Sequence, residues 1–394
     1  MQTETEHPVL QTENPVRSYP NSIQKLARYF RTVLKNETIA ALADDLDGER
    51  RVPAVCVVDE KLRPLGVVKR DKIFLLLGKR FGRELMGKSR VQEITEEAPV
   101  FSGETNILVL SRLLSAALKG EETEKENDYI ILTGPGGVFS GMLSFRDLSN
   151  YFVDMTNRDI AAASILQERF LANADEPGNR RIQVNAWSVP AKGVGGDFYF
   201  IKNLGESRFF AALCDVSGKG ISAALVVSMV WGFLRAHTIN GGLRNLLIDL
   251  NDSIISTFHL EKYLTGFFLI CDSAEERLQF ADMGHSHGVF IRNQSVHTLE
   301  KARVNLPIGV EVDIKPVICR IRIKPADVLF VYTDGITEQD NPQGEEFGDR
   351  RLLDLVRECR FDGKKLNGVL PAALDNFRKN TPQRDDMTCL FFRF

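Results

Sequence analysis

The stretch at residues 208–238, RFFAALCDVSGKGISAALVVSMVWGFLRAHT, changes character at Asp215. Before it stands a short, continuous apolar run of strand length. After it, Gly218 and Gly220 mark a turn, and Ile221–Thr238 is long enough to predict a helix. Working outward, the β-rich runs IQVNAWSV and DFYFI precede this stretch, and YLTGFFLIC, RLQFADM, HGVFI, VICRIRI, VLFVYT and MTCLFFRF follow it. Further helices are predicted at Leu243–Phe258, about Arg350–Glu358 and Leu366–Lys379. Strands, then helices, then strands, then helices predict an α+β class with two antiparallel sheets face to face and helices outside, an αββα sandwich.

Four aspartates stand at the ends of these runs. Asp197 follows Gly195-Gly196 and opens FYFI, Asp215 closes FFAALC, Asp334 closes VLFVYT, and Asp385 opens the last strand. One aspartate at a strand end is ordinarily a turn residue or a cap. Four, each beside a glycine or a turn, form the oxygen-rich set that Mg²⁺ or Mn²⁺ takes. Two such ions about 4 Å apart activate water and clamp phosphoryl oxygens.

A chain of 394 residues exceeds one ordinary core and fits two domains with a connector. Fifty basic against fifty-three acidic side chains leave a net charge of -3, so no global field draws the protein to nucleic acid or to a membrane. The six cysteines form no C-x-x-C pair and mostly sit in apolar runs, the usage of a reducing cytoplasm. No window offers the roughly 20 apolar residues of a membrane span, and the polar, acidic start is not a signal peptide. Residues 1–20 are expected to be a disordered tail.

Residues 21–152 read as a repeat. VPAVCVVDEKLRPLGVVKRDKIFLLL from Val52 and DYIILTGPGGVFSGMLSFRDLSNYF from Asp128 align when Gly66 is set on Gly141, each as strand, turn, strand, helix. Thr105–Leu118 has helical spacing and precedes the second unit. Over Gln24–Phe152 this resembles a pair of CBS motifs, α/β modules that often bind adenine nucleotides. The resemblance implies ribose contacts at Ser144 and Asp147, whereas the first unit has Lys69 and Asp71 and does not fit. Equally, Ser144 and Asp147 would cap the following helix. Residues 153–180 are the expected helical linker: Val153–Ala174 lacks Gly and Pro, and Asp175–Arg181 ends it. Its stripe of Ile160, Ala163, Leu166 and Phe170 fits packing on its own domain or pairing of two subunits in a homodimer.

In residues 181–394, GVGGDFY at Gly193, DVSGKGISAAL at Asp215, MGHSHGVFI at Met283, LPIGV at Leu306, LFVYTDGITEQDNPQGEEFG at Leu329 and DDMTCLFF at Asp385 occur in the order seen in SpoIIE-type phosphatases of the PPM class. ILQERFL at Ile165 resembles the helix that precedes the catalytic domain in that family. The resemblance implies two Mn²⁺ or Mg²⁺ ions, with Asp215 bridging them and the carbonyl of Val216 helping to hold one. Asp334 and Asp385 would hold the other, Asp197 would complete the site directly or through water, and Asp386 would be a supporting or turn residue. It implies hydrolysis of phosphoserine or phosphothreonine on a bacterial regulatory protein, with a STAS-type anti-sigma-factor antagonist as the candidate partner. The alternative is a catalytically weak, phosphatase-like ligand-sensing or protein-binding module.

Departures from the family pattern are local. Phe200 stands where the family usually has an acid, and Met283-Gly284-His285 replaces Ala-Gly-His. His285 is either a proton donor to the leaving alkoxide or a loop-ordering residue. His285 and His287 resemble a metal pair but lack further ligands in a known spacing. Gly218-Lys219-Gly220 is a weak phosphate-loop signal with no Walker pattern around it. GGDF at Gly195 is not a diguanylate cyclase signature, since Phe198 follows Asp197 and the flanking motifs are those of the phosphatase.

Overall fold

The computed structural model describes residues 21–49, 51–110, 128–172, 182–299 and 305–394. The expected tail at 1–20, the later part of the expected 105–118 helix, and the turn at 175–181 lie outside the described residues. The chain divides into two compact units between Thr156 and Asn157.

In the first unit the strands are β1 (Thr32–Leu34), β2 (Ala54–Val58), β3 (Pro64–Lys69), β4 (Val100–Ser102), β5 (Tyr129–Thr133) and β6 (Phe139–Ser144). They form two three-stranded sheets, ordered β1-β2-β3 and β4-β5-β6. In each, the first pair is parallel and the second antiparallel. Gly66 faces Val57 and Gly141 faces Leu132, and each hairpin shifts register at the next residue. At Gly66 a Cβ would meet the Glu96 carbonyl at 2.4 Å, so close backbone approach requires glycine there.

One helix, Phe145–Ala172, begins eight residues before the linker was expected to start. No glycine or proline interrupts residues 145–172, so nothing separates the last helix of the repeat from the linker. Among its residues in the second unit, Phe170 stacks on Trp231 at 5.0 Å and Gln167 is buried. Leu166 is 52% exposed, as is Ile165. The apolar stripe is therefore rotated from the one expected: Gln167, one residue beyond Leu166, takes the inward position.

The second unit contains β7 (Gln183–Val189), β8 (Asp197–Asn203), β9 (Arg208–Val216), β10 (Leu264–Asp272), β11 (Arg277–Met283), β12 (Gly288–Arg292), β13 (Ser295–Thr298), β14 (Cys319–Arg322), β15 (Val328–Tyr332) and β16 (Met387–Arg393). Two five-stranded antiparallel sheets result, ordered β14-β11-β10-β9-β8 and β13-β12-β15-β16-β7. Alternation along β9 assigns the layers. Phe210, Ala212 and Cys214 pack with residues of the Ile221–Ala236 and Gly242–Phe258 helices. Phe209, Ala211 and Leu213 pack with Leu329, Val331, Leu390 and Phe392 of the other sheet. The outer face of that second sheet packs with Leu352, Leu366, Leu370 and Leu374 of the Gly348–Glu358 and Gly363–Arg378 helices. The expected αββα sandwich is the architecture found.

β13 was not anticipated. It is a short edge strand joined to β12 by Asn293 and Gln294, both at positive φ, a two-residue hairpin turn without the usual glycine. No helix among the described residues is long and apolar enough to cross a membrane.

The rotated stripe has a measurable consequence. Phe170→Ala should lower the stability of the second unit by about 1–2 kcal/mol through loss of the Trp231 contact. Within a single chain, Leu166→Glu should change it by less than about 0.5 kcal/mol, as expected for a position exposed in the monomer. Urea denaturation followed by tryptophan fluorescence distinguishes the two.

Candidate functional site

The turns that close β9 and β15 and those that open β8 and β16 meet at one end of the sandwich. Asp197 and Asp215 are direct cross-strand partners in the β8–β9 pair. Asp334 follows β15 and begins the short Asp334–Thr337 helix, and Asp385 and Asp386 precede β16. Gly335 lies against the last pair: a Cβ there would sit 2.0 Å from the Asp386 carbonyl oxygen and 3.2 Å from Asp385 Cβ. The glycine of the TDG motif is thus needed because two backbones approach closely. All four aspartates expected to form the site are brought to this end.

Like charges opposed across a strand pair are unfavourable, and burial strengthens the effect. Asp197 is 5% exposed, and burial, followed by the neighbouring Asp215, raises its carboxyl well above the ordinary carboxylate range. Thr333 Oγ1 opposes this by donating to Asp197 Oδ2 at 2.6 Å. Burial is also the main influence on Asp215, with Asp334, Asp385 and Asp386 adding to it, and together they push it up to about 7. Such a site favours either protons or an added cation.

The remaining carboxylate is structural. Asp386 is 7% exposed and accepts from the backbone N–H of Ala191 at 2.7 Å and of Gly196 at 2.6 Å. Gly195 also lies against this carboxylate, which a Cβ would approach to 2.5 Å. The supporting role expected for Asp386 matches these contacts: it fixes the turn that delivers Asp197. From the linker helix, the Gln167 amide donates to the Gly195 carbonyl at 2.8 Å and accepts from the Gly195 N–H at 3.0 Å. Sequence reasoning missed Gln167 and Thr333, because neither lies in the quoted motifs as a charged group.

A Cβ on Gly196 would meet the carbonyl oxygen of Val216 at 2.8 Å, that of Gly218 at 3.4 Å and Asp215 Oδ1 at 3.5 Å. That side-chain-free space lined by oxygens suits a hard cation. Asp385 is partly exposed, and the Lys219 ammonium lies 2.7 Å from its Oδ2. Among the described residues no three His, Cys, Asp or Glu side chains close around a single point. The donors therefore fit an ion that keeps several waters rather than a closed protein cage.

His285 is buried, with Nε2 lacking a hydrogen-bond partner. Burial, then His287, pushes its imidazole down to about 3. The ring is neutral near pH 7, and the backbone N–H groups of His285 and Ser286 donate to Asp282, so loop ordering is the role it fits. The six thiols are all raised by burial, which leaves no activated cysteine. Phe200 belongs to the core beneath the helices, its ring 5.8 Å from Trp231, so the missing acid is not a loss among the aspartates.

In the first unit Ser144 and Asp147 form a reciprocal cap at the start of the Phe145–Ala172 helix. Ser144 Oγ donates to Asp147 Oδ2 at 2.6 Å, the Ser144 N–H donates to the same oxygen at 3.0 Å, and the Asp147 N–H donates to Ser144 Oγ at 3.1 Å. Asp147 also pairs with Arg28 at 3.1 Å. The capping role read from sequence accounts for both side chains.

The raised carboxyls set a pH dependence. A carboxyl raised in the folded state favours folding below its unfolded value near 4, and that advantage is lost as pH rises toward about 7 for Asp215. Chelator-treated protein should therefore lose thermal stability between about pH 4 and pH 7, and Asp215→Asn should flatten the loss. Added Mn²⁺ should restore stability most at the upper end of that window. Melting curves across pH, with and without Mn²⁺, check both.

A family model described as Stage II sporulation protein E (SpoIIE) matches residues 205–394, beginning after Asp197. The chain is 26% identical over 254 residues to Protein IcfG of Synechocystis, covering 57% of this chain and 40% of IcfG. It is 27% identical over 184 residues to the phosphoserine phosphatase RsbU of Bacillus subtilis, covering 46% of this chain and 53% of RsbU. The chain thus spans about half the length, or less, of these relatives. Among solved structures, the PP2C domain of SiaA from Pseudomonas aeruginosa has a TM-score of 0.53 at 23% identity, covering 61% of this chain and 98% of that domain. With the two-sheet sandwich, these likenesses show that residues 205–394 match the SpoIIE family model and that the second unit has a PP2C-like fold.

Proposed function

We propose that this protein is a metal-dependent phosphatase that hydrolyses phosphoserine or phosphothreonine on a protein. The observation that carries this reading is the facing pair Asp197 and Asp215, with Asp334 and Asp385 at the same end of the sandwich. RsbU, a phosphoserine phosphatase by name, aligns with the chain and supports the choice of substrate.

Asp215, the Val216 carbonyl, Asp334 and Asp385 would hold two Mn²⁺ or Mg²⁺ ions, with Asp197 completing the site. Bound there, the ions supply Lewis acidity toward water and phosphoryl oxygens. The chain's own residues provide placement. Thr333 orients Asp197, Asp386 holds the turn that carries it, and Gln167 fixes Gly195 next to that turn. In the full-length protein Asp215→Asn and Asp334→Asn should each reduce Mn²⁺-dependent turnover of an aryl phosphate or phosphopeptide by at least about 100-fold. Circular dichroism should remain unchanged, and EDTA should stop the wild-type enzyme. Wild-type turnover by either folded variant rules the assignment out.

Regulation by the first unit belongs to the same reading. Its duplicated sheets support a CBS-like sensor, and the helix that leaves it carries Gln167, which holds the turn next to Asp197. A ten-fold effect on turnover requires about 1.4 kcal/mol of differential affinity between two states. ATP, ADP and AMP are the ligands to titrate by calorimetry while turnover is followed. Ser144 and Asp147 cap one another and still offer acceptor lone pairs to a ribose, so Ser144→Ala is expected to weaken nucleotide binding. A STAS-domain phosphoprotein in the cytoplasm is the proposed substrate. The homodimer rests on exposed Ile165 and Leu166, and Leu166→Glu should convert a sedimenting dimer to monomer.

A further inference from the structure

We propose that Lys219 is a built-in counter-ion of the carboxylate cluster, one that an incoming divalent cation must displace from Asp385 and that is then available to the substrate's phosphoryl group. The inference rests on the reading of the site as a divalent-cation centre.

Both oxygens of Asp385 are engaged. Oδ1 accepts from the Asp386 N–H at 2.9 Å, and Oδ2 accepts from Lys219 Nζ at 2.7 Å. The same ammonium donates to the Arg384 carbonyl at 2.9 Å. An ion drawn to Asp385 Oδ2 would therefore meet a positive charge within contact distance, and the two cannot share that oxygen cheaply.

The lysine is placed so that it can leave. Its side chain is 46% exposed, and it sits between Gly218 and Gly220 at φ +96° and +73°. A Cβ on Gly220 would meet nothing within 4 Å, so the loop borders open space. A four-carbon stem with three rotatable donors can change partners without moving the backbone. The second lysine at this loop, Lys262, is committed differently, with Nζ 3.3 Å from the Ser217 carbonyl and 3.5 Å from Ser222 Oγ. A phosphoserine carries about −1.5 to −2 charge and suits the freed ammonium. Lys219 would thus make cation occupancy a condition for good substrate binding.

The test uses full-length protein and Mn²⁺ alone. By calorimetry Lys219→Met should bind Mn²⁺ about two- to five-fold more tightly than wild type, the range a partly exposed ion pair is worth. Lys219→Arg, which keeps the charge, should remain near wild type. Acetylation of Lys219, followed by mass spectrometry on wild-type protein, should be slow without cation and faster once Mg²⁺ is added. Equal or weaker Mn²⁺ binding by Lys219→Met, or acetylation indifferent to Mg²⁺, overturns the proposal while leaving the phosphatase reading intact. If wild-type protein takes up no Mn²⁺, the cation reading fails and the proposal falls with it.

Discussion

Two carboxylates opposed across one strand pair, largely withdrawn from water, are the constraint around which the second unit is arranged. Asp197 and Asp215 cannot both ionise there without a cation or compensating donors. The chain supplies a few donors, chiefly the Thr333 hydroxyl, and leaves a net deficit of positive charge. Stability that the folded unit would gain by relieving this repulsion is withheld and made available to a ligand. Carboxylates at this end therefore make sense as a binding device and poorly as a structural one.

Holding such a cluster together requires both sheets. Asp197 and Asp215 come from one, while Asp334, Asp385 and Asp386 flank strands of the other. Thr333 joins them: its hydroxyl donates to Asp197 and accepts from the Thr388 N–H at 2.9 Å. Asp386 makes a second link by accepting from the N–H groups of Ala191 and Gly196. Close approach at these links leaves no room for side chains, which explains the glycines at 195, 196 and 335 better than backbone flexibility does. The apolar layer between the sheets sets their spacing and hence the positions of the links.

The linker helix shows where pattern reading stops. Ile160, Ala163, Leu166 and Phe170 have the spacing of a single stripe, yet the buried position in the third place belongs to Gln167. A glutamine is scored as polar by any periodicity argument, and its burial is tolerated here because both amide atoms are satisfied by Gly195. The lysine of the Gly-Lys-Gly turn gave a similarly incomplete signal. Its ion pair with Asp385 joins residues 166 positions apart in the chain, a relation no local motif contains.

The sequence by itself determined the layered α+β class, the strands that carry alternating or continuous apolar residues, and the four aspartates at their ends. Those features are local, since periodicity, strand length and turn chemistry act within a few residues of each position. It also contained the aligned glycines of the repeat and both readings of Ser144 and Asp147, without choosing between them. Only the tertiary structure decided that these two side chains cap one another, that His285 is buried and neutral, that Phe200 lies in the core, and that Thr333, Gln167 and Lys219 hold the site. Each of those outcomes depends on which distant segment supplies a partner or excludes water, and that is set when the sheets and helices pack.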